Sequence, residues 1–301
     1  MSKMPARIWL CADDYGISPA VNAAIRDLMA RGRINATSVM VVAPSFGPAE
    51  AKALDAVADT PRRAAIGLHL TLTAPFRPQH AVFAPTREGA FLPLGATFVR
   101  ACLRRFRHDH LAAEVAAQLD AFVAAFGRAP DFVDGHQHVQ LFPQVRDAVL
   151  AVVREKAPCA WVRQCGRVVP LRRRLVDRKG LLLDVLSLSF RARAAALGLR
   201  TNPAFAGTYD FSGRTDYSEL FDGFLHNMPD GGVIMCHPGA VDDELRRLDP
   251  LTHQREQEHA FFASEKFPAL LAARGVALAS LQAAAPNDRS RRANDRTPPS
   301  S

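Results

Sequence analysis

The chain has 301 residues, of which 48% are hydrophobic, and an excess of lysine and arginine gives it a formal net charge of +8. This length and composition are typical of a globular protein with a sizeable core. No stretch of the sequence is apolar over the length needed to span a membrane. The five cysteines lack the spacing of a disulfide framework or a zinc site, and no apolar signal region precedes the first apolar run. We therefore expect reduced thiols in a cytoplasmic protein.

Hydrophobic periodicity predicts alternating strands and helices along most of the chain. Strands are predicted at 8–12, 36–43, 65–73, 132–133, 159–163, 233–236 and 276–281, and helices at 19–31, 46–57, 110–126, 143–152, 252–262 and 264–273. The opening order of strand, helix, strand and helix predicts an α/β fold built on a parallel sheet with right-handed crossovers.

Three segments between these elements carry further expectations. Residues 74–105 show little periodicity and predict a long loop that serves as a lid or a substrate-binding insertion. Two helices are predicted at 171–186 and 189–197, and residues 202–210 predict a pocket-lining loop. We expect one domain over 1–283, with a basic helical insertion at about 166–200 and a disordered tail at 284–301.

The basic surplus lies in the segment from residue 154 to residue 200. Twelve basic residues there stand against Glu155, Asp177 and Asp184, which accounts for the whole net charge. No nucleic-acid motif accompanies these residues, so a nucleic-acid partner is not expected. The arginines at 172–174 lie near apolar residues at 181–186, a combination that fits peripheral contact with an anionic membrane; a solvated basic face is the alternative.

Titratable side chains stand at the ends of four predicted strands. They are Asp13 and Asp14, His69, the group Asp134, His136 and His138, and His237. Each residue taken alone has an ordinary explanation, such as a helix cap or a buried core histidine. However, the C-terminal ends of parallel strands share one rim of a barrel, so we expect these side chains to converge. Two histidines and one carboxylate would suit a divalent cation, and a neighbouring carboxylate could act as a base toward water.

Four motifs, in this order and at these separations, resemble the YdjC-like family, also called the ChbG/HpnK family of carbohydrate deacetylases. They are Ala-Asp-Asp-Tyr-Gly-Ile-Ser at 12–18, Gly-Leu-His-Leu-Thr at 67–71, Asp-Gly-His-Gln-His-Val at 134–139 and Met-Cys-His-Pro-Gly at 235–239. The resemblance extends from the first strand to about residue 281. It implies an irregular, TIM-barrel-like (β/α) barrel related to the polysaccharide deacetylases.

The resemblance also implies roles for individual residues. Asp14, His69 and His136 would bind one divalent metal ion, Asp13 would be the general base and His237 the general acid. Magnesium or zinc is the first candidate for the metal, with manganese or cobalt as alternatives. The implied substrate is an acetylated amino sugar, on an oligosaccharide or a glycolipid, from which acetate is released.

The surroundings of this implied site are less closely defined by the resemblance. Candidate substrate-binding residues are Tyr15, His138, Arg163 and Tyr209. Gly135, Gln137 and Gln140 replace a serine and two histidines of the family pattern, a change that affects the outer shell and the substrate contacts. The sequence is also compatible with a homodimer.

Three other functions remain as alternatives. The same ligands could serve a metal-dependent phosphoesterase, although no further carboxylate cluster accompanies them. A carbohydrate-binding protein without catalysis is the second alternative, and retention of both Asp13 and His237 argues against it. The third is a membrane-peripheral enzyme that acts on a glycolipid, with the basic segment as its docking surface.

Overall fold

The computed structural model describes residues 5–58, 64–167, 178–210 and 216–281. The strands are β1 (Ala6–Tyr15), β2 (Ala36–Val39), β3 (Ala65–Leu70), β4 (Phe132–Gly135), β5 (Trp161–Val162), β6 (Phe205–Ala206), β7 (Val233–Cys236) and β8 (Val276–Leu278). The helices are α1 (Pro19–Ala30), α2 (Pro48–Ala58), α3 (Leu94–Cys102), α4 (His108–Phe126), α5 (Val145–Lys156), α6 (Arg178–Ala196), α7 (Tyr217–Leu225), α8 (Asp243–Leu248), α9 (His253–Ala263) and α10 (Lys266–Arg274). A 3₁₀ turn, His136–Leu141, follows β4.

The strands form one parallel sheet that curls into an irregular barrel. Their order is β5-β4-β3-β2-β1-β7-β6, and β8 pairs with the first half of β1. The two outer strands approach each other through bridges between Val162 and Thr201 and between Arg167 and Phe205. The predicted α/β class and barrel-like architecture are therefore confirmed.

The core lies on both faces of this sheet. Residues 8–15 of β1 are buried without a break, as is expected for a central parallel strand that is covered on each side. Gly67 on β3 lies beside Phe132 on β4, and a Cβ atom at Gly67 would lie 2.4 Å from the Phe132 ring. The glycine thus lets Phe132 pack between β3 and Trp161, whose ring is stacked on it with centroids 4.5 Å apart.

The largest corrections to the prediction concern two helices with unusual surfaces. Residues 94–102, predicted as part of a long loop, form α3. Two helices were predicted at 171–186 and 189–197, but one helix, α6, runs without interruption through residues 178–196. Apolar residues occupy the exposed faces of both helices as well as the buried ones. An amphipathic pattern requires one apolar face and one polar face, and these helices carry apolar residues on both. Hydrophobic periodicity therefore located neither helix correctly.

Smaller differences concern short elements. The strands predicted at 36–43 and 65–73 end at Val39 and Leu70, where the backbone leaves the sheet. The predicted loop at 202–210 contains the two-residue strand β6, while α7 and α8 were not predicted. Residues 168–177 and the predicted tail at 284–301 lie outside the described residues.

Two predictions about the chain as a whole can be compared with the structure. All five cysteines are free thiols, and three of them are buried. Among the helices that the structure describes, none combines the length and apolar character needed to cross a bilayer.

Candidate active site

The predicted strand-end residues meet in one pocket at the C-terminal rim of the barrel. The pocket has a volume of about 390 Å³ and is lined by Asp13, Asp14, Leu94, His69, Gly135, His136, Gln137, His138, Thr208, Met235, His237, Asp249, Pro250, Leu251 and Gln254. These residues come from separate segments of the chain, and the curvature of the sheet brings the segments close together. The predicted convergence is therefore present in the structure.

A β-bulge allows Asp13 and Asp14 to serve the same pocket. Ala12 is paired with Thr37 and Tyr15 with Val39, so three steps along β1 match two steps along β2. The extra residue is accommodated where Asp14 adopts a left-handed conformation with φ of 67°. The strand therefore bends at Asp14, one residue before β1 ends at Tyr15.

Asp14, His69 and His136 form a compact buried cluster. Oδ1 of Asp14 lies 3.2 Å from Nε2 of His69 and 2.9 Å from Nδ1 of His136. The three candidate ligand atoms lie within 4.8 Å of one another, and the three side chains are buried. Burial raises the pKa of Asp14, but the His136 and Arg255 charges outweigh that effect and hold it well below its usual range.

The orientation of His69 is fixed by its neighbour in the sheet. Asp134 on β4 is the register partner of His69 on β3, and its Oδ1 lies 2.6 Å from Nδ1 of His69. Nε2 of His69 is thereby directed toward Asp14. Burial lowers the pKa of His69, but the charges of Asp134 and Asp13 outweigh this and raise it to about 10.

Asp13 is held by a buried arginine. Nη1 and Nη2 of Arg163 donate to its two carboxylate oxygens over 2.8 and 2.6 Å, and Nη2 also lies 2.9 Å from Oδ2 of Asp134. Burial raises the pKa of Asp13, but Arg163 outweighs it and lowers the pKa to about 2. Arg163 is fully buried, so the prediction that it contacts substrate gives way to a role in positioning Asp13.

His237 directly follows β7 and lines the same pocket as Asp13. Its Nε2 is 4.0 Å from Oδ2 of Asp14. Burial lowers the pKa of His237 to about 4, so the ring is neutral at pH 7. A histidine in water has a pKa of about 6.5, and the difference arises because the tertiary fold desolvates the ring.

Helix α9 supplies two buried charged residues that the sequence analysis missed. Nη2 of Arg255 donates to Asp14 over 2.6 Å and to Asp249 over 3.0 Å. One turn later, Glu258 accepts hydrogen bonds from the backbone N–H of His237 and from the hydroxyl of Tyr209. Burial raises the pKa of Glu258 to about 7. The available signal was the pair of opposite charges three residues apart on a helix, but surface helices carry that pattern equally often.

The other predicted substrate-binding residues occupy different environments. His138 lines the pocket in a left-handed conformation, and its ring meets Phe205 edge-on. Tyr209 is half-buried against Glu258, next to the pocket-lining Thr208. Tyr15 is fully buried and donates its hydroxyl to Glu50, so the structure gives its side chain no access to the pocket.

The departures from the family pattern are coupled to one another. A Cβ atom at Gly135 would lie 2.7 Å from Oε1 of Gln140. The side chain of Gln140 thus occupies the space that a serine side chain at position 135 would need. The amide of Gln140 donates to the backbone carbonyl of Arg163 over 3.2 Å. Gln137 is exposed and lines the pocket, where it can reach a ligand.

The charges of the cluster favour a bound cation. Three buried carboxylates, Asp13, Asp14 and Asp134, face two buried guanidinium groups, Arg163 and Arg255. The third negative charge is costly in a buried site unless it is balanced. The raised pKa of His69 means that a proton on its ring provides this balance, and a bound cation could take the place of that proton. The donor set of one carboxylate and two imidazoles suits a divalent metal ion. A second group, Cys11, Asp13 and Asp134, fits less well because Arg163 already pairs with both carboxylates.

The role of Glu258 can be tested by two substitutions. We expect Glu258→Ala to destabilise the protein by about 2–6 kcal/mol, because two buried donors lose their acceptor at about 1–3 kcal/mol each. Glu258→Gln should change stability by less than about 1 kcal/mol, since its amide can still accept from His237 and donate to Tyr209. Urea unfolding measures both variants. Equal losses would show that the negative charge, and not the hydrogen bonding, is what the site requires.

This chain is similar to known proteins in sequence and in fold. A family model described as YdjC-like protein matches residues 7–273. Chitooligosaccharide deacetylases from Citrobacter koseri and Yersinia pestis are each 28% identical to this chain, over 89% of its length and 95% of theirs. A crystal structure of a candidate cellobiose-phosphate cleavage protein from Enterococcus faecalis superposes with a TM-score of 0.72 at 21% identity, covering 93% of this chain and 99% of that one. That last likeness is one of fold.

Proposed function

Because the chain belongs to the YdjC-like protein family, we propose that it is a metal-dependent hydrolase that removes the N-acetyl group from an acetylated amino sugar and releases acetate. The observation that carries this proposal is that the cluster of Asp14, His69 and His136 shares one pocket with Asp13 and His237. Arg163 holds Asp13 in place there. The substrate class is supported by the names of the two chitooligosaccharide deacetylases.

Asp14, His69 and His136 would hold one divalent metal ion. Magnesium or zinc remains the first candidate, with manganese or cobalt as alternatives. When bound, such an ion supplies Lewis acidity toward a carbonyl oxygen and toward water. The hydrogen bond from Asp134 keeps His69 oriented for binding, while Arg255 occupies the second oxygen of Asp14 and leaves Oδ1 facing the histidines.

Asp13 acts in the proposal as the base that removes a proton from the attacking water. The fork of Arg163 holds both of its oxygens, so the carboxylate keeps one orientation and stays ionised at neutral pH. A carboxylate with a pKa near 2 is an intrinsically weak base. Its contribution therefore depends on position and on activation of the water within the site.

His237 acts as the acid that protonates the departing amine. An amine leaves poorly as an anion, so breaking the C–N bond requires proton transfer to nitrogen. The ring is neutral at rest and takes up a proton from solvent in the pocket as negative charge develops beside it on the substrate, since a nearby negative charge raises the pKa of an imidazole. It passes this proton to the amine nitrogen as the C–N bond breaks, and the proton held by Asp13 returns to solvent. Glu258 fixes the backbone that carries this ring.

The finer predictions remain proposals. These are an oligosaccharide or a glycolipid as carrier of the sugar, a cytoplasmic location, the absence of a nucleic-acid partner, a peripheral membrane contact and a possible homodimer. The alternatives are a phosphoesterase and a carbohydrate-binding protein without catalytic activity. A phosphoesterase would release phosphate, and a binding protein would release neither phosphate nor acetate.

The proposal predicts a metal-dependent release of acetate. Protein stripped with a chelator should lose more than about 100-fold of its activity on N-acetylated sugars and regain it when a divalent metal is returned, because the metal's Lewis acidity lowers the barrier by several kcal/mol. The substrates are chitobiose, N-acetylglucosamine and an N-acetylglucosaminyl lipid, with a phosphomonoester as the comparison. Metal stoichiometry and the melting temperature report occupancy independently of turnover.

Each outcome of this assay decides between the candidate functions. Acetate release that follows metal occupancy supports the deacetylase. Phosphate release without acetate release would assign a phosphoesterase instead. Metal binding with neither product would favour a binding protein.

A further inference from the structure

The exposed large apolar side chains of this protein are concentrated in one region. Among the described residues seven are exposed, and all but Val82 lie on α3, on its C-cap or on α6: Leu94, Val99, Leu103, Leu182, Val185 and Leu188. Scattered exposed apolar residues are normal on a protein surface, but a cluster on neighbouring helices indicates a contact surface.

The solvent face of α3 carries no charged residue. Its exposed positions are Leu94, Gly95, Ala96, Val99, Cys102 and, at the C-cap, Leu103. Val99 and Leu103 expose 55% and 54% of their surface. The opposite face buries Thr97 and Ala101. This helix thus presents to solvent side chains at least as apolar as those it buries.

Helix α6 repeats this arrangement. Val185 and Leu188, three residues apart, expose 56% and 58% of their surface, and Leu182 continues the same stripe one turn earlier. The opposite side of the helix contributes Leu186 and Phe190 to the core. The exposed stripe is therefore additional to the packing that holds the helix in place.

The C-terminal ends of the two helices reach the same aspartate, and α3 begins at the pocket. Arg104, just after α3, and Arg193 on α6 both pair with Asp147 on α5, at 3.5 and 3.1 Å. Leu94, the first residue of α3, lines the pocket and is itself exposed. We call the exposed apolar residues of these two helices the α3–α6 surface; at Leu94 it reaches the candidate active site.

The charge around this surface is positive. Arginines stand at 100, 104, 105 and 107, with no acidic residue between positions 100 and 108. Along α6 the one acidic residue is Asp184, which is buried and paired with Arg167. Asp147 and Asp109 neutralise part of the charge through their pairs with Arg104, Arg193 and Arg107. Arg105 and Arg191 stay exposed.

We propose that the α3–α6 surface docks the protein peripherally on an anionic lipid bilayer. Apolar side chains on two helices, bordered by arginine, match the boundary between acyl chains and negatively charged headgroups. A bilayer needs no shape complementarity, which suits an apolar face that offers side chains but no groove. Docking does not depend on the proposed reaction, although it brings the pocket entrance close to the lipid surface.

Sedimentation with vesicles tests this proposal without any substrate. The full-length protein is mixed with phosphatidylcholine vesicles that contain either no phosphatidylglycerol or about 30% of it, at low and at high salt. We expect co-sedimentation with the anionic vesicles and its loss at high salt, since a large part of the attraction is screened charge. The double variant Val185→Glu and Leu188→Glu should weaken apparent vesicle affinity by more than about tenfold.

A matched control separates the surface from net charge. Ala272→Glu with Ala273→Glu makes the same charge change at two exposed positions of α10, and it should alter vesicle affinity by less than about threefold. Equal losses in both variants, or no binding of the unmodified protein to anionic vesicles, would overturn the proposal. So would an unmodified dimer in sedimentation velocity that the Val185 and Leu188 variant dissociates, because the surface would then join two copies of the chain.

Discussion

Replacing Asp13 with asparagine should lower kcat/KM for acetate release by about 10²–10⁴-fold, the contribution typical of a positioned general base. Asparagine keeps the shape of the side chain and can still accept a hydrogen bond from Arg163, but it cannot take a proton. Arg163 also retains its pair with Asp134, at 2.9 Å, so the buried guanidinium is not left without a carboxylate. Metal stoichiometry should remain unchanged, because Asp13 is outside the cluster of candidate ligands.

The matched control for this substitution is Asp131→Asn. Asp131 also pairs with an arginine, Arg128, but it precedes β4 and lies at the other end of the sheet from the pocket. Its substitution should leave acetate release within about threefold of the unmodified protein. If Asp13→Asn lost its metal along with its activity, Asp13 would be a ligand and the assignment of the base would be wrong.

Replacing His237 with asparagine should lower acetate release from an N-acetylated sugar by about 10²–10³-fold, because the amine would then depart without a proton donor. The same variant should hydrolyse an aryl acetate ester at nearly the normal rate, since a phenolate leaves without protonation. The ratio of the two activities is therefore the informative measurement, and it separates acid catalysis from general damage to the pocket.

His253→Asn provides the control for the histidine substitution. His253 begins α9 and its side chain is 69% exposed, so the same chemical change there should affect neither substrate. Equal losses on the amide and the ester in His237→Asn would contradict a role as acid. They would indicate instead that His237 shapes the pocket or contributes to metal binding, from its position 4.0 Å from Asp14.

The sequence predicted the convergence of the site because that convergence follows from topology. Once alternating strands and helices imply a parallel sheet, residues at strand ends must share a rim. His69 and His237 could be placed in this way from their position relative to apolar runs. The prediction did not extend to Arg255 and Glu258, because their burial depends on how α9 packs across the pocket.

The roles of individual polar residues were harder to predict from the sequence. Arg163 was predicted as a substrate contact, and it is fully buried on Asp13. Tyr15 was predicted in the same group, and its hydroxyl instead bonds to Glu50. A side chain beside a motif can point to either face of a strand. A bulge such as the one at Asp14 shifts the residues that follow it, so that their side chains point to the opposite face.

By itself, the sequence determined the α/β class, the order of most elements and the four strand ends that carry the titratable residues, since these follow from the local periodicity of apolar side chains. Only the tertiary structure decided the paired carboxylates and arginines, the neutral state of His237 and the exposed apolar faces of α3 and α6. The physical reason is that burial, charge pairing and solvent exposure are properties of neighbours distant in the chain. Asp13 and Arg163, 150 residues apart, meet only because β1 and the end of β5 reach the same rim.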